Sequence, residues 1–212
     1  VALIVRQSHG PVRPARGSPE VDLLSRPNKS VQRSGAVLGD PAAKVVYLSD
    51  LPTSGDPDIG WTNDPHEPIN HGWANLINDQ NRNGGKITIR GHLYEKGLWA
   101  HANADITYSL DAQFDRFEAE VGIDDWGTQG DPEYGALKAE FLTYVDGKLK
   151  DRTAALGPQD NPAKIIINLR GAHTLRLSAR ARGPRGIDNR HTCWGDARLY
   201  QIGGKMEKAP SN

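Results

Sequence analysis

Hydrophobic and polar residues alternate along much of this chain with a period of two. The clearest run covers residues 116–123, where apolar residues occupy the odd positions and charged residues occupy most of the even ones. Successive side chains of a β-strand point to opposite faces of a sheet, so this pattern predicts a half-buried strand. A helix would scatter the same apolar residues around its circumference.

Similar runs predict further strands, and turn signals separate them. Asp146-Gly147, between two such runs, is a strong hairpin signal. No helical period is sustained over three turns. Many short strands separated by turns predict an all-β sandwich or barrel of antiparallel strands. The further predicted strands are residues 45–48, 87–90, 106–110, 137–145, 165–169, 175–179 and 194–202.

The two ends of the chain lack this alternation. Residues 1–43 are punctuated by proline and arginine, which predicts an irregular arm or the remnant of a preceding domain. The compact domain is expected over residues 44–203, followed by a polar tail at 204–212. Within the domain, residues 53–85 are rich in Gly, Pro and Asn, and predict a long ordered surface loop that carries Trp61 and Trp73.

Composition excludes several function classes. The 212 residues carry a net charge of +0, which argues against a general nucleic-acid binder. No run approaches the roughly 18 apolar residues of a membrane span. Cys193 is the only cysteine, so an intramolecular disulfide and a multi-thiolate zinc site are both excluded. We expect this thiol to be packed in the interior.

Catalytic motifs are scarce. The sequence has neither the nucleophile elbow of acyl-transfer enzymes nor a phosphate-binding loop, and its histidines show no metal-binding spacing. Asp124 and Asp125 are adjacent, so on an extended chain they point apart and cannot flank one glycosidic bond. Either could pair with a distant acid, cap a turn through backbone N–H groups, or bind a ligand or calcium. His101 follows a predicted strand, where a structural hydrogen bond is the simpler interpretation.

The tryptophans are more informative. Trp99 and Trp194 lie at strand edges and are expected in the core, whereas Trp73 and Trp126 lie in loops. A sugar ring has a C–H face that stacks on an indole and a rim of hydroxyls that carboxylates, amides and guanidinium groups can bind. The two loop tryptophans therefore either hold a sugar or close the ends of the sandwich.

Residues 44–202 resemble the carbohydrate-binding-module family NPCBM, whose members include modules attached to glycoside hydrolases. Two features depart from the family pattern: Cys193 replaces the usual Asp before the last tryptophan, and residues 182–190 are rich in arginine. The resemblance is carried by these motifs: Tyr47-Leu48-Ser49-Asp50-Leu51, Gly72-Trp73, Tyr94-x-Lys96-Gly97-Leu98-x-x-His101-Ala102, Ile106-x-Tyr108-x-Leu110, Phe117-x-Ala119-x-Val121-Gly122-Ile123-Asp124-Asp125, Val145-Asp146-Gly147-Lys148, Leu175-x-Leu177, Gly186-Ile187-Asp188 and His191-x-x-Trp194-x-Asp196-Ala197.

The resemblance implies a jelly-roll β-sandwich of the galactose-binding-domain type. It also implies a non-catalytic module, secreted or in the cell envelope, that binds a glycan, including galactose-containing glycans, and targets an attached catalytic domain. We expect loops at one end of the sandwich to bind the sugar, and we expect neither nucleic acid nor a membrane span as a partner. The predicted binding residues are Trp73 or Trp126 for stacking, with His101, Asp124, Asp125 and Arg190 for polar contacts.

Similar modules also carry a structural calcium ion, and Asp50 and Asp196 are the predicted ligands because both lie near the ends of strands. Two turn-capping aspartates are the alternative. Two other functions stay open: a protein–protein docking domain in which the tryptophans are structural, and a glycoside hydrolase that pairs Asp124 with a distant acid.

Overall fold

A computed structural model describes residues 44–60, 75–126, 136–183 and 190–201 of the chain. These residues form thirteen β-strands and one 3₁₀ turn, Leu48–Asp50, which confirms the all-β prediction. Among them, no helix has the length and apolar character needed to cross a membrane. The strands are β1 (Lys44–Tyr47), β2 (Asp58–Ile59), β3 (Ile77–Asn78), β4 (Ile87–Ile89), β5 (His92–Tyr94), β6 (Gly97–His101), β7 (Ala104–Ser109), β8 (Arg116–Ile123), β9 (Lys138–Val145), β10 (Lys148–Arg152), β11 (Ala163–Asn168), β12 (Thr174–Arg182) and β13 (His191–Gln201).

Two antiparallel sheets face each other across one core. The first sheet has the order β11–β8–β13–β6–β3, with β1 also pairing with β13. The second sheet has the order β10–β9–β12–β7–β2. This arrangement confirms the predicted β-sandwich. The core between the sheets is apolar because each strand turns one of its two faces inward.

Strand β8 shows how the sequence alternation produces this core. Phe117, Ala119 and Val121 are buried between the sheets, while Glu118 and Glu120 lie on the outer face of the first sheet. Trp194 of β13 is fully buried, and its ring meets that of Phe141 on the opposite sheet edge-on, with centroids 5.4 Å apart. The core position expected for Trp194 is therefore confirmed.

A third element, the β4–β5 hairpin, covers the outer face of the first sheet. Ile87, Ile89 and Tyr94 of this hairpin form a second apolar cluster with Trp99 and Cys193. Trp99 is buried as expected, but beneath the hairpin and not between the sheets. Cys193 is also buried, and burial raises the pKa of its thiol.

Two glycines allow the hairpin to approach the sheet closely. A Cβ atom at Gly195 would lie 2.5 Å from Cγ of the Tyr94 ring, and one at Gly122 would overlap the side chain of Ile89. Real Cβ atoms do not approach other atoms so closely, so both positions require glycine. The reason is packing and not the backbone conformation, because neither glycine has a positive φ angle. The glycine that follows Trp194 is explained by this contact with Tyr94.

Most predicted turns and strands are present, with one correction. The hairpin at Asp146-Gly147 joins β9 to β10, with φ angles of 48° and 74° at the two turn residues. The prediction of a long loop over residues 53–85 was wrong where β2 and β3 lie. Strand β2 pairs with β7 and strand β3 pairs with β6, and both are too short to show an alternating pattern. The predicted arm at 1–43, the tail at 204–212, and Trp61 and Trp73 lie outside the described residues.

Candidate functional site

One end of the sandwich, which we call the loop end, brings several strand termini together. The N–H of Gly60 donates to the carbonyl of Asn103 at 2.6 Å, and that of Ala102 donates to the carbonyl of Arg190 at 2.9 Å. Trp126 lies three residues beyond the end of β8 at this same end. Gly60, Trp126 and Arg190, each of which borders one of the segments 61–74, 127–135 and 184–189, therefore lie at this end.

Four aromatic rings gather at the loop end. The indole of Trp126 stacks on the imidazole of His191, with centroids 5.3 Å apart and 21° between the planes. His191 also contacts the rings of Trp99 at 5.4 Å and His101 at 5.6 Å. Trp126 is partly exposed, whereas His191 is 2% exposed. The imidazole therefore forms a buried support for a surface indole.

The charge state of His191 suits this role. Burial lowers the pKa of the His191 imidazole, and the hydrogen bond between its Nδ1 and the carbonyl of Trp126, 3.0 Å long, opposes that shift only in part. Because the carbonyl can only accept, Nδ1 carries the proton. The ring is therefore neutral at pH 7 and presents an aromatic face to the indole.

His101 lies beside this cluster and is 7% exposed. Its Nδ1 is 2.7 Å from the carbonyl oxygen of Ala102. This is the structural hydrogen bond that the sequence suggested as the simpler interpretation. A contact between His101 and a sugar stays a prediction.

Asp124 points into the protein. Its carboxylate is fully buried and accepts hydrogen bonds from the backbone N–H of Thr88 at 3.1 Å and of Trp126 at 2.9 Å. The side-chain amide of Asn81 donates at 3.4 Å, and Sγ of Cys193 lies 3.6 Å away. Burial raises the pKa of the Asp124 carboxyl to about 6, although the two backbone bonds lower it. Direct sugar contact by Asp124 stays a prediction, and in this conformation its oxygens serve the protein interior.

Asp125 caps the turn of the β4–β5 hairpin. Its two carboxylate oxygens accept from the backbone N–H groups of Arg90 at 2.9 Å and Gly91 at 2.8 Å. The N–H of Asp125 itself donates to the carbonyl of Thr88 at 2.8 Å. The turn-capping alternative is therefore the arrangement that the structure contains, and sugar contact by Asp125 stays a prediction.

Arg190 is fully buried as well. Its Nε donates to the carbonyl of Lys138 at 3.2 Å, and one terminal nitrogen donates to the carbonyl of Arg182 at 2.7 Å. These bonds join the start of β9 to the end of β12, so the guanidinium holds the second sheet together at the loop end. Its predicted role in sugar contact is not tested, and Trp73 lies outside the described residues.

Sequence reasoning did not assign His191 or Asn81. Asn81 braces the turn before β4, accepting the N–H groups of Asn83 at 3.1 Å and Gly85 at 3.0 Å. His191 stands directly opposite His101 in the β13–β6 pairing. The His191-x-x-Trp194 motif was the one sequence feature that pointed to His191. The sequence does not show, however, that the His191 ring stacks against Trp126.

Asp50, one of the two predicted calcium ligands, is paired with a lysine in the structure. Oδ1 of Asp50 lies 2.5 Å from Nζ of Lys96, which also lies 2.8 Å from Oδ2 of Asp79. Asp50 and Asp79 therefore share one ammonium group, and their hydrogen bonds raise the pKa of Lys96. Within the described ranges, no group of three His, Cys, Asp or Glu side chains could hold a metal. Calcium bound by Asp50 and Asp196 stays a prediction, and it would need further oxygen ligands.

A separate cleft of about 500 Å³ opens at the sandwich edge formed by β2 and β3. It mixes apolar and polar side chains and lies within the volume range of small-molecule sites. The N–H₂ of Asn78 donates to the carbonyl of Ser49 at 2.9 Å, which fixes one wall. Lining residues include Leu51, Pro52, Asp56, Asn75, Leu76 and Asn78.

A family model and a curated relative each match most of this chain. The family model described as "NPCBM/NEW2 domain" matches residues 44–200. A curated protein of Renibacterium salmoninarum, named "Putative endo-alpha-N-acetylgalactosaminidase", is 28% identical over 177 residues. That match covers 83% of this chain but 11% of the relative.

Solved structures share the fold. The CBM51 module from Clostridium perfringens GH95, solved in complex with methyl-galactose, is 25% identical with a TM-score of 0.60 and covers 74% of this chain and 99% of that one. The CBM51-2 and INT domains of Clostridium perfringens ZmpB, solved with GlcNAc, are 22% identical with a TM-score of 0.62 over 74% of this chain and 32% of that one. The tandem CBM51 modules of Sp3GH98 from Streptococcus pneumoniae are 20% identical with a TM-score of 0.59, over 75% and 47% of the two chains.

Proposed function

The chain belongs to the NPCBM/NEW2 domain family, and from this premise we propose that it is a non-catalytic carbohydrate-binding module with its sugar site at the loop end. One observation carries the location: the partly exposed indole of Trp126 rests on the buried imidazole of His191. A rigid, flat indole is the surface on which the C–H face of a sugar packs. Because a rigid sandwich positions it, little ordering entropy is lost on binding.

The proposed ligand is a sugar with the galactose configuration. The relative solved with methyl-galactose is 25% identical over its whole length, and the curated relative is named for action on α-linked N-acetylgalactosamine. The neighbour solved with GlcNAc supports the fold, and GlcNAc serves as the comparison sugar. We propose galactose or N-acetylgalactosamine as the residue that stacks on Trp126.

The module is proposed to act as part of a longer enzyme. The chain spans about a tenth of the curated relative that it matches, 11% of its length. A glycan-binding module attached to a glycoside hydrolase raises the local concentration of its substrate. We propose a secreted or envelope location, where such glycans are found, and a catalytic domain in the same polypeptide.

The hydrolase alternative assigns catalysis to Asp124. A catalytic carboxyl must reach the glycosidic oxygen or the attacking water. Asp124 is fully buried, and its oxygens accept bonds from Thr88 and Trp126. Incubation with aryl galactosides and aryl N-acetylgalactosaminides separates the two functions: we expect binding without release of the aryl group, and turnover that disappears in Asp124→Asn would favour the hydrolase.

Titration calorimetry with methyl galactoside, N-acetylgalactosamine and N-acetylglucosamine tests the proposal. We expect Trp126→Ala to weaken galactoside binding about tenfold or more, a loss of about 1.4 kcal/mol, because the stacking surface is removed. Leu93→Ala is the matched control, since Leu93 is a large apolar residue that is 59% exposed on β5. Equal galactoside affinities for wild type and Trp126→Ala would contradict this location, and no binding of any of the three sugars would contradict the proposed ligand class.

A further inference from the structure

The turn at the tip of the β4–β5 hairpin has an unfavourable residue. Arg90 and Gly91 have φ angles of 51° and 80°, the two positive values of a type I′ turn. That turn favours Asn-Gly or Asp-Gly, because short polar side chains tolerate the left-handed region. Most other non-glycine residues with positive φ in the described chain are aspartates, such as Asp79 and Asp146, whereas Arg90 has a long side chain. Something outside the turn must therefore hold it.

The Asp124–Asp125 pair supplies that restraint. The carboxylate of Asp125 accepts both N–H groups of the turn, from Arg90 and Gly91. Two residues before Arg90, the N–H of Thr88 donates to Oδ2 of Asp124, and the carbonyl of Thr88 accepts from the N–H of Asp125. The hairpin is thus fixed at its tip and along β4 by two consecutive residues.

The same two residues lead directly into the stacking indole. Oδ1 of Asp124 accepts the N–H of Trp126, and the carbonyl of Trp126 accepts the Nδ1–H of His191. The backbone of Trp126 is therefore bound on one side to the residues that hold the hairpin and on the other to β13. A shift of Asp125 that released the turn would also move Trp126 relative to His191.

We infer that Asp125 is a positioning residue of the sugar site, which acts through the Arg90–Gly91 turn and not by touching the glycan. This inference rests on the proposed function for its effect on affinity. Its structural part, that Asp125 keeps the Trp126 indole on His191, does not need a ligand. Loss of the carboxylate leaves two N–H groups without their acceptor in a turn that arginine disfavours, so the turn relaxes and the adjoining Trp126 moves.

A double-mutant cycle tests the inference. The variants are Asp125→Ala, Arg90→Asn and the two combined, because Asn-Gly forms a type I′ turn without outside help. We expect Asp125→Ala to weaken methyl galactoside binding about tenfold and Arg90→Asn to leave it unchanged. The double variant should recover affinity to within about threefold of wild type, since the turn then holds itself.

A matched control uses an aspartate that caps backbone at the opposite end of the sandwich. The carboxylate of Asp146 accepts the N–H groups of His173 and Thr174, each at 2.9 Å. Asp146→Ala should leave galactoside affinity unchanged, although it removes the same kind of cap. Should Asp125→Ala fail to fold, Asp125→Asn keeps one acceptor oxygen and should give a smaller loss that Arg90→Asn again repairs.

The indole N–H resonance of Trp126 gives a readout without ligand. We expect its chemical shift to change in Asp125→Ala, to return in the double variant, and to stay unchanged in Asp146→Ala. An unmoved resonance in Asp125→Ala would overturn the inference even if the protein bound no sugar. A folded double variant that stayed as weak as Asp125→Ala would show that Asp125 contacts the glycan itself, which would also overturn it.

Discussion

The buried carboxyl of Asp124 predicts an unusual dependence of stability on pH. Burial raises its pKa from the ordinary value of 3.8 to about 6, against the opposing bonds from Thr88 and Trp126. Each unit of pKa difference between folded and unfolded states is worth 1.36 kcal/mol. The shift therefore corresponds to about 3 kcal/mol of differential stability.

The sign follows from proton binding. Between about pH 4 and pH 6 the folded protein holds the Asp124 proton while the unfolded chain has released it. The free energy of unfolding contributed by Asp124 is therefore largest below about pH 4, falls as pH rises, and levels off above about pH 6. Most surface carboxylates have the opposite effect, since their ionised form is favoured by folding.

Urea unfolding of wild type and Asp124→Asn at steps from about pH 3.5 to 7.5 measures this term. The difference in unfolding free energy, wild type minus variant, should fall by about 3 kcal/mol across the window and be flat on either side. A difference that rises with pH, or that does not change, would refute the reasoning. Asp146→Asn is the control: backbone N–H bonds from Thr174 and His173 lower the pKa of Asp146, so its contribution rises with pH at the acid end of the range and is flat between about pH 5 and pH 7.5.

Three further outcomes follow from the contacts described. Gly195→Ala should destabilise the fold by about 1–3 kcal/mol in urea unfolding, because its methyl group would meet the Tyr94 ring. Gly85→Ala, whose Cβ would lie an ordinary 3.5 Å from Asn81, is the control, and equal midpoints for the two variants would contradict the packing argument. Lys96→Met should lower the melting temperature, since Asp50 and Asp79 lose their shared cation; an unchanged melt would show that the pairs contribute nothing. If calcium binds as predicted, a chelator should lower the melting temperature of wild type and added calcium should restore it; an unchanged melting temperature would contradict the predicted site.

The sandwich could be predicted from sequence because a period of two is a local signal. Residues 116–123 alternate strictly, and the structure buries the odd positions as that pattern requires. Strands β2 and β3, each two residues long, carry no detectable period and were missed. They exist because β7 and β6 offer open edges to the loop that passes them.

The hairpin layer could not be predicted, because alternation assigns residues to two faces but does not say what covers each face. Trp99 and Cys193 lie on the outer face of the first sheet and are nevertheless fully buried, since β4–β5 packs above them. Gly195 likewise gives no local sign that the Tyr94 ring will lie over it.

The candidate site was partly predictable. The sequence singled out the stretch from Asp124 to Trp126, but it did not show that the partners of Asp125 are backbone groups 34 and 35 positions away. Every residue except proline carries a backbone N–H group, so the sequence does not show which N–H groups a carboxylate will bind. A turn-capping aspartate therefore cannot be told from a ligand-binding one by sequence. Arg190 shows the same ambiguity, because its acceptors are the carbonyls of Lys138 and Arg182.

The central claim is that a galactose-type sugar binds at the loop end over Trp126. A ¹H–¹⁵N NMR titration of the intact chain with methyl galactoside tests it most directly, since every indole and backbone amide reports its own position. The account predicts saturable shifts that are largest at the Trp126 indole and at the amides of Asp125 and His191. Shifts confined to the edge cleft around Asp56, Asn75 and Asn78, or no saturable shift anywhere, would contradict it.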